Sequence, residues 1–310
     1  MVQLTISAAA KLPLFARGFP IQVDVKPGAT VADVKASIAA KFPEFYSERQ
    51  KVTVKGERKA LDDETKVLEV LEDKEKELQV KDLGPQLGWR TVFIIEYLGP
   101  ILIHPLFYHL PQLFYGQDVQ HSQLQTFVYA FVMLHFTKRE LETIFVHRFS
   151  HGTMPASYVF RNSAHYWILS GLFLALDIYR PVYSATSPSI RGTIRENETF
   201  LWAMTGLWAF AEVSNFHTHL TLRSLRPAGS RVRNIPYGYG FNLVSCPNYF
   251  FETLGWFFVS VMTGSISVWL FVAVSLGIMT NWALQKHKNY RNEFGKEYPR
   301  NRKAIIPFII

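Results

Sequence analysis

Residues 198–226 read ETFLWAMTGLWAFAEVSNFHTHLTLRSLR, and this stretch decides the fold of most of the chain. Its first part is apolar over about 20 residues, which is the length that spans a bilayer. Its polar residues recur every three or four positions and therefore share one face of a helix: Glu212, Asn215, His219 and Arg223. Ionisable groups are expensive inside a bilayer and face the interior of a helix bundle. The stretch therefore predicts a membrane helix with one polar face.

Five further segments have a similar apolar composition, at residues 91–111, 123–137, 164–179, 249–263 and 266–284. Several are shorter than the ~20 residues that span a bilayer comfortably, and Pro100 and Pro105 interrupt the first. Short, kinked helices with polar residues are typical of a bundle that surrounds a cavity. We therefore predict an α-helical polytopic membrane bundle over residues 83–310. It has six transmembrane helices, or seven if residues 138–160 or 230–248 also insert.

Positive charge in the loops predicts the topology of this bundle. The loop at 112–122 has no Lys or Arg, whereas the loops at 138–163 and 218–248 are basic. Both termini then face the cytosol. Most of the net charge of +8 belongs to the membrane part, because residues 1–90 contain fifteen Lys and Arg against fourteen Asp and Glu. The single cysteine, Cys246, excludes a disulfide within the chain, as expected for chemistry that faces the cytosol.

Residues 1–82 have the element order of a small soluble domain. Alternating apolar residues predict strands at 2–6, 21–25, 51–54 and 78–80. Thr30 is a good N-cap for a helix from Val31 to about Lys41. This is the order of an α+β β-grasp, and the segment resembles a ubiquitin-like domain. No Gly-Gly terminus follows it, so a conjugation tag is not expected. A docking or stabilising function and a partner-recruiting function both stay open.

Other polar residues lie at the ends of the predicted spans that face the cytosol. Asn248, Tyr249 and Glu252 open the fifth span, while His287 and Tyr290 follow the sixth. One interpretation is hydrogen bonding between helices, which holds the bundle together. The other is a cavity open to the cytosol, in which Arg and Lys hold a large anionic ligand. Glu96 is a further ionisable residue, within the first span.

Common cofactor motifs are not found in the sequence. Gly238 and Gly240 form a lone G-x-G without the βαβ context of a dinucleotide fold. His147 and His151 have the spacing of a metal pair, and His217 and His219 form another pair. The clustered H-x-x-H-H boxes of membrane hydroxylases are missing, so no metal is expected.

Several motifs resemble the steroid 5α-reductase superfamily and, within it, the very-long-chain trans-2-enoyl-CoA reductases. The C-terminal signature runs from Lys286-His287-Lys288-Asn289-Tyr290 to Ile305-Ile306-Pro307-Phe308. The stretches that resemble the enoyl-CoA branch are Gly84-Pro85-Gln86, Glu96 to Pro100, Lys138-Arg139-Glu140, Arg223 to Ser230, and Ser245-Cys246-Pro247-Asn248-Tyr249. A ubiquitin-like head before the spans is also similar to that branch. The resemblance covers essentially the whole chain.

This resemblance implies a reaction and a set of site residues. NADPH reduces the double bond of a very-long-chain trans-2-enoyl-CoA at the endoplasmic reticulum membrane, in the last step of fatty-acid elongation, which supplies sphingolipid synthesis. Tyr249 corresponds to the proton donor, a role that suits a phenol because its pKa of ~10 keeps it protonated. Lys138, Arg139 and Glu96 are the other catalytic candidates. The residues that match the NADPH site are Asn215, His219, Arg223, Arg226, Asn248, Glu252, His287 and Tyr290.

The implied partners are the acyl-CoA substrate, membrane lipid and other fatty-acid elongase components, without nucleic acid. Three alternatives stay open. The chain is a steroid 5α-reductase acting on 3-oxo-4-ene steroids, a membrane methyltransferase of the isoprenylcysteine type, or a membrane adaptor without enzymatic activity that presents its ubiquitin-like head.

Overall fold

The computed structural model describes residues 1–71, 77–149, 152–227 and 233–310. The chain divides into two compact units, one formed by residues 1–89 with 151–158 and the other by residues 90–150 with 159–310. His151 of the predicted histidine pair lies outside the described residues. So do Ala228, Gly229 and Ser230 of the resemblance motif.

The first unit contains the predicted β-grasp. It begins with β1 (Val2–Ala8) and β2 (Ile21–Val25), and continues with α1 (Val31–Lys41), β3 (Gln50–Val54), α2 (Val67–Val70) and β4 (Glu77–Asp82). The sheet order is β2-β1-β4-β3, in which β1 and β4 are parallel and the other neighbouring pairs are antiparallel. This mixed sheet confirms the predicted fold of the head. Two short strands, β5 (Gln86–Gly88) and β6 (Thr153–Pro155), form a separate antiparallel pair.

The local sequence explains why the head folds in this way. The side chain of Thr30 accepts a hydrogen bond from the Asp33 N–H, and Asp33 accepts one from the Thr30 N–H, which is a capping box at the start of α1. Alternation along β1 buries Leu4 and Ile6 completely, and Ile38 of α1 belongs to the same core.

The second unit is helical. Its elements are α3 (Trp89–His109), α4 (Pro111–Tyr115), α5 (Gln123–Phe145), α6 (Tyr158–Ala164), a π-helix (His165–Phe173), α7 (Leu174–Ile178), α8 (Glu198–Ser224), α9 (Pro247–Thr263) and α10 (Ile266–Phe294). All six predicted apolar segments are therefore helical. Among the described residues, two helical stretches, Trp89–His109 and Ile266–Glu297, are long and apolar enough to cross a membrane. The count of six or seven spans stays a prediction.

Helix α5 extends beyond the segment expected from the sequence. It continues past residue 137 to Phe145, so Lys138 and Arg139 lie on the helix and not in the loop where we expected them. The reason is that residues of a polar helix face form the same backbone hydrogen bonds as those of an apolar face, so a change of polarity does not mark the end of a helix. Helix α8 ends at Ser224, so it includes Arg223, as the helical spacing predicts, and excludes Arg226.

Helices α8 and α9 approach each other closely at Gly255. A Cβ atom on this residue would lie 3.3 Å from Oε1 of Glu212 and 3.7 Å from the Ala211 side chain. The missing side chain therefore allows the polar face of α8 to lie against the middle of α9.

Candidate active site

A stripe of four polar residues lies on α5. Its members have the spacing of successive helical turns and so face the same direction: His135, Lys138, Arg139 and Glu142. Three of them are almost inaccessible, since the exposed fraction is 3% for His135, 9% for Arg139 and 1% for Glu142. Charged side chains are rarely buried to this extent unless they are paired. The stripe therefore requires partners on the neighbouring helices.

Helix α8 supplies the first partners. Nδ1 of His135 lies 2.8 Å from Oε1 of Glu212. Nζ of Lys138 lies 2.7 Å from Oε2 of the same carboxylate, and 2.7 Å from Oδ1 of Asn215. These contacts join α5 to α8 through one shared carboxylate and one amide.

The amide of Asn215 connects this pair of helices to α9. Its Nδ2 donates a hydrogen bond to Oε2 of Glu252 at 3.0 Å and another to the backbone carbonyl of Asn248 at 2.9 Å. Because Lys138 can only donate and a carboxylate accepts, these neighbours fix which end of the amide faces which helix. Asn215 is therefore the junction of the three helices.

Arg139 occupies the other side of the same cluster. Its guanidinium donates to Glu142 and, through NH2, to the Tyr97 hydroxyl at 2.9 Å. Its Nε lies 3.8 Å from Oε1 of Glu252. Nδ1 of His219 lies 3.1 Å from Oε1 of Glu142. Charge within the cluster is thus nearly balanced. Two permanent cations and two histidines face three carboxylates, which are those of Glu142, Glu212 and Glu252.

Glu96 is buried at the edge of this cluster, on α3. Only 3% of it is exposed, it hydrogen-bonds to Asn162, and it lies within electrostatic range of Arg139. The residue after it, Tyr97, is the one that contacts Arg139 directly.

Tyr249 lies on α9 but faces α10 instead of the cluster. Its hydroxyl accepts a hydrogen bond from Nζ of Lys286 at 2.9 Å, and the ammonium lies 4.8 Å from the centre of the Tyr249 ring. Tyr249 packs against a buried cluster formed by Cys246, Met279, Ala283, Ala304 and Ile305. Glu252, three residues later, instead contacts Asn215 of α8 and His135 of α5, so the two side chains have partners on different helices.

The remaining predicted cofactor residues form a second group near the C-terminal segment. Nδ1 of His287 and the Tyr298 hydroxyl both lie 2.6 Å from Oγ of Ser245. Tyr290 stacks on the Tyr298 ring at 5.4 Å. These contacts hold the motif residues of α10 against the segment that precedes α9.

The two arginines at the end of α8 belong to neither group of contacts. Arg223 is exposed, and Arg226 donates to the backbone carbonyl of Arg148 at 3.2 Å. Of the predicted site residues, the structure therefore unites Lys138, Arg139, Asn215, His219, Asn248 and Glu252, with Glu96 beside them. Tyr249, His287, Tyr290 and the two arginines lie elsewhere.

Sequence reasoning missed three members of the cluster: Tyr97, His135 and Glu142. His135 and Glu142 have helical spacing to Lys138 and Arg139, and this spacing could have identified them. The predicted helix ended at residue 137, so the four residues were not expected on one helix. Tyr97 adjoins Glu96 in the sequence but carries no charge, and so gave no signal of its own.

Potential metal-ligating atoms of Glu142, His147 and His219 lie within 4.8 Å of one another. The Arg139 guanidinium approaches the same atoms, with NH1 3.3 Å from Nδ1 of His219. A permanent cation in this position opposes a divalent ion by charge repulsion. The grouping is better described as part of the ion-pair cluster.

The lone G-x-G is explained by backbone geometry. Gly238 and Gly240 have φ angles of +96° and +74°, and a Cβ on Gly240 would lie 2.6 Å from Cβ of Pro247. Both glycines therefore serve a tight turn before α9 and give no sign of a dinucleotide loop.

The chain thus combines a β-grasp head with a helical unit that contains a buried, charge-balanced cluster. Within the described ranges, two of its helical stretches are apolar enough for a membrane. Comparison with known proteins supplies its family. Residues 152–310 match the family described as 3-oxo-5-alpha-steroid 4-dehydrogenase, and residues 22–82 match the ubiquitin-like domain described as TECR.

Individual relatives agree with these matches. A very-long-chain enoyl-CoA reductase of Dictyostelium discoideum is 43% identical over 233 residues, which is 75% of this chain and 74% of that protein. A candidate enoyl reductase of Schizosaccharomyces pombe is 53% identical over 74% of this chain and 75% of that protein. A mouse protein named trans-2,3-enoyl-CoA reductase-like is 32% identical over 91% of this chain and 78% of that protein. The chain belongs to the very-long-chain enoyl-CoA reductase family, within the steroid 5α-reductase superfamily.

Proposed function

We propose that the chain uses NADPH to reduce the 2,3 double bond of very-long-chain trans-2-enoyl-CoA to the saturated acyl-CoA, in the last step of the fatty-acid elongation cycle. Family membership gives the reaction class, oxidoreduction. The observation that carries the assignment to this chain is Tyr249, whose phenol lies beside a cation and whose neighbour in the chain, Phe250, lines an apolar cavity.

The residues that match the NADPH site fit the chemistry of that molecule. Arg226 and Arg223 supply positive charge for its phosphates, whereas Asn248 and Glu252 supply hydrogen bonds for a ribose or carboxamide. Nε of Arg139 is buried and has no hydrogen-bond partner within the described ranges, so a donor is available to a ligand. When bound, NADPH supplies a hydride to the β-carbon of the enoyl group.

Proton transfer is the task of the protein. Tyr249 gives its phenol proton to the α-carbon, and a positioned general acid of this kind contributes about 10²–10⁴-fold in rate. Lys138 and Arg139 are engaged with carboxylates of neighbouring helices, so we assign them to the positioning of the three-helix junction. We assign Glu96 the same supporting task through Asn162.

The acyl chain of the substrate has a candidate site next to Tyr249. An apolar cavity of about 440 Å³ lies along α9 and α10 and is lined by Phe250, Thr253, Leu254, Phe257, Trp269, Val272, Ala273, Leu276, Ile305 and Ile306. Phe250, Leu276 and Ile306 pack against the same buried cluster as Tyr249. A hydrocarbon chain in this cavity would bring its thioester end toward the phenol, and burial of methylenes contributes about 0.8 kcal/mol each.

We extend the proposal to the cellular setting of the reaction. The chain lies in the endoplasmic reticulum membrane with six or seven spans, with both termini in the cytosol and next to other elongase components. Its product supplies very-long-chain fatty acids and sphingolipids. The head, residues 1–82, acts as a docking or stabilising domain for the catalytic part, residues 83–310.

A spectrophotometric assay tests the proposed reaction. The purified protein in detergent should oxidise NADPH when a long-chain trans-2-enoyl-CoA is added, and Tyr249→Phe should lower kcat about 10²-fold or more. Tyr237→Phe is the matched control, because Tyr237 is 55% exposed and lies outside α9. Absence of turnover with enoyl-CoA together with turnover of a 3-oxo-4-ene steroid would replace the proposal by the steroid reductase alternative.

A further inference from the structure

Lys286 differs in its partner from the two cations of the buried cluster, Lys138 and Arg139. Among the described residues, it forms no ion pair with a carboxylate, and its ammonium donates to the phenol oxygen of Tyr249 at 2.9 Å. Lys138 and Arg139 each face at least one carboxylate. The other titratable groups near Lys286 are the Cys246 thiol and the Tyr290 hydroxyl. The attraction between an ammonium and a phenol oxygen increases when the phenol loses its proton and becomes negatively charged.

We propose that Lys286 is the residue that positions the proton donor: it orients the Tyr249 hydroxyl and stabilises the phenolate that remains after proton transfer. This inference rests on the proposed function, because it requires Tyr249 to be the proton donor. Two contacts support the orienting part, since the ammonium both donates to the hydroxyl and lies 4.8 Å from the ring centre. The ring therefore has a preferred position as well as a hydrogen bond.

The step balances without an additional reactant. The O–H bond of Tyr249 breaks as a C–H bond forms at the α-carbon of the substrate enolate, so negative charge moves from the enolate to the phenol oxygen. The Lys286 ammonium faces the oxygen on which this charge develops. Its attraction is therefore stronger in the transition state than before the reaction, and this difference lowers the barrier to proton transfer. An N–H proton of Lys286 then returns to the phenolate, and the amine regains a proton from water.

The position of the pair in the fold favours this role over simple packing. Tyr249 lies in the first turn of α9 and Lys286 lies late in α10, so the contact joins the two helices that line the apolar cavity. Trp282, one turn before Lys286, places its ring 6.3 Å from that of Tyr249.

The test compares Lys286→Met, Lys286→Arg and the control Lys288→Met. Lys288 is exposed on the same helix, so its loss removes an equal charge without affecting Tyr249. Lys286→Met should lower kcat about 10- to 100-fold, the effect of a lost hydrogen bond to a charged group. It should also raise the solvent hydrogen isotope effect and move the alkaline limb of the pH–rate profile to higher pH. Lys286→Arg should recover most of the rate, and Lys288→Met should match the wild type.

A second readout needs no turnover. In protein labelled with ¹³C at tyrosine Cζ, the Tyr249 resonance should shift in Lys286→Met but not in Lys288→Met. An unchanged resonance together with an unchanged pH profile would overturn the role of Lys286, even if enoyl-CoA reduction is confirmed. If the wild type does not reduce enoyl-CoA, or if Tyr249→Phe keeps full activity, the proposed function or its proton donor fails instead, and the role of Lys286 fails with it.

Discussion

Nζ of Lys138 lies 2.7 Å from Oδ1 of Asn215, and this contact fixes the orientation of an amide that three helices share. The other end of the amide donates to Glu252 at 3.0 Å. Asn215 thus lies between the Lys138 ammonium and the Glu252 carboxylate and forms a hydrogen bond with each. A side chain with two acceptor ends, or with two donor ends, cannot do this.

Asn215→Asp should therefore destabilise the helical unit although it changes few atoms. The new carboxylate would face Glu252 at about the distance of a hydrogen bond, where like charges repel and a buried acceptor is left unsatisfied. We expect a loss of about 1–3 kcal/mol in the free energy of unfolding. Asn281→Asp is the control, because Asn281 is exposed on α10.

The double variant Asn215→Asp with Glu252→Gln sharpens this prediction. It exchanges the amide and the carboxylate, so that one donor and one acceptor face each other again. Thermal unfolding in detergent should show that the double variant recovers much of the stability lost in Asn215→Asp. Equal unfolding temperatures of the wild type and Asn215→Asp would contradict the assignment of Asn215 as the junction.

Part of this site was predictable because its residues share one helix. The polar face of α8 follows from the spacing of Glu212, Asn215 and His219 alone, and the structure does bring these residues together with α5 and α9. The head was predictable for a similar reason, since its strands and its capped helix are local features. Helical periodicity and capping depend on residues that are close in sequence, so a single sequence is enough to predict them.

The direction of Tyr249 was not predictable in this way. Asn248 and Tyr249 are adjacent in sequence, yet one contacts α8 and the other contacts α10. Which helix lies on which side of α9 depends on packing between distant segments, and a single sequence does not record it. The same limit applies to the partners of His135, because its two carboxylate neighbours come from α8 and α9.

Filling the apolar cavity should change which substrates react. Ala273→Trp adds a large side chain to the cavity wall and should exclude long acyl chains, while short-chain enoyl-CoA still reaches Tyr249. Turnover of substrates of increasing chain length measures this directly. Val261→Trp is the control, because Val261 is 42% exposed on α9 and does not line the cavity. Unchanged long-chain turnover in Ala273→Trp would show that the acyl chain binds elsewhere.

Gly99 on α3 should not tolerate even a methyl group. A Cβ atom there would lie 2.5 Å from the indole ring of Trp167, whose Nε1 donates to the Ile95 carbonyl at 2.8 Å. Because this hydrogen bond holds the ring in place, Gly99→Ala should cost about 1–3 kcal/mol in the free energy of unfolding.

Gly277→Ala provides the matched comparison on α10. Nothing lies within 4 Å of a Cβ atom at Gly277, so this variant should gain about 0.5–1 kcal/mol from helix propensity. Thermal unfolding of the two variants in the same detergent should therefore shift in opposite directions. A stabilising effect of Gly99→Ala would mean that Trp167 is free to move.

Acid should weaken the head through one ion pair. Arg49 donates to Asp82 through Nε at 2.9 Å and NH2 at 2.6 Å, and the Gly84 N–H donates to the same carboxylate at 2.9 Å. Burial alone would raise the pKa of Asp82, but the hydrogen bonds from Arg49 and Gly84 outweigh it and hold the pKa below its ordinary value. A lowered carboxyl pKa stabilises the folded state at neutral pH, and this stabilisation is lost as pH falls below about 4.

Arg49→Met should remove this stabilisation at neutral pH and with it the sensitivity to acid. We expect a loss of about 1–3 kcal/mol at pH 7, because the pair is only 11–12% exposed, and a smaller difference from the wild type at pH 3. Hydrogen exchange of the β3 and β4 amides in the full chain, corrected for the intrinsic effect of pH, measures both values. Lys66→Met is the control, since its pair with Glu69 is more than half exposed and should contribute little. A difference between Arg49→Met and the wild type that is equally large at both pH values would mean that Arg49 acts through its stacking on Phe15 and not through the carboxylate.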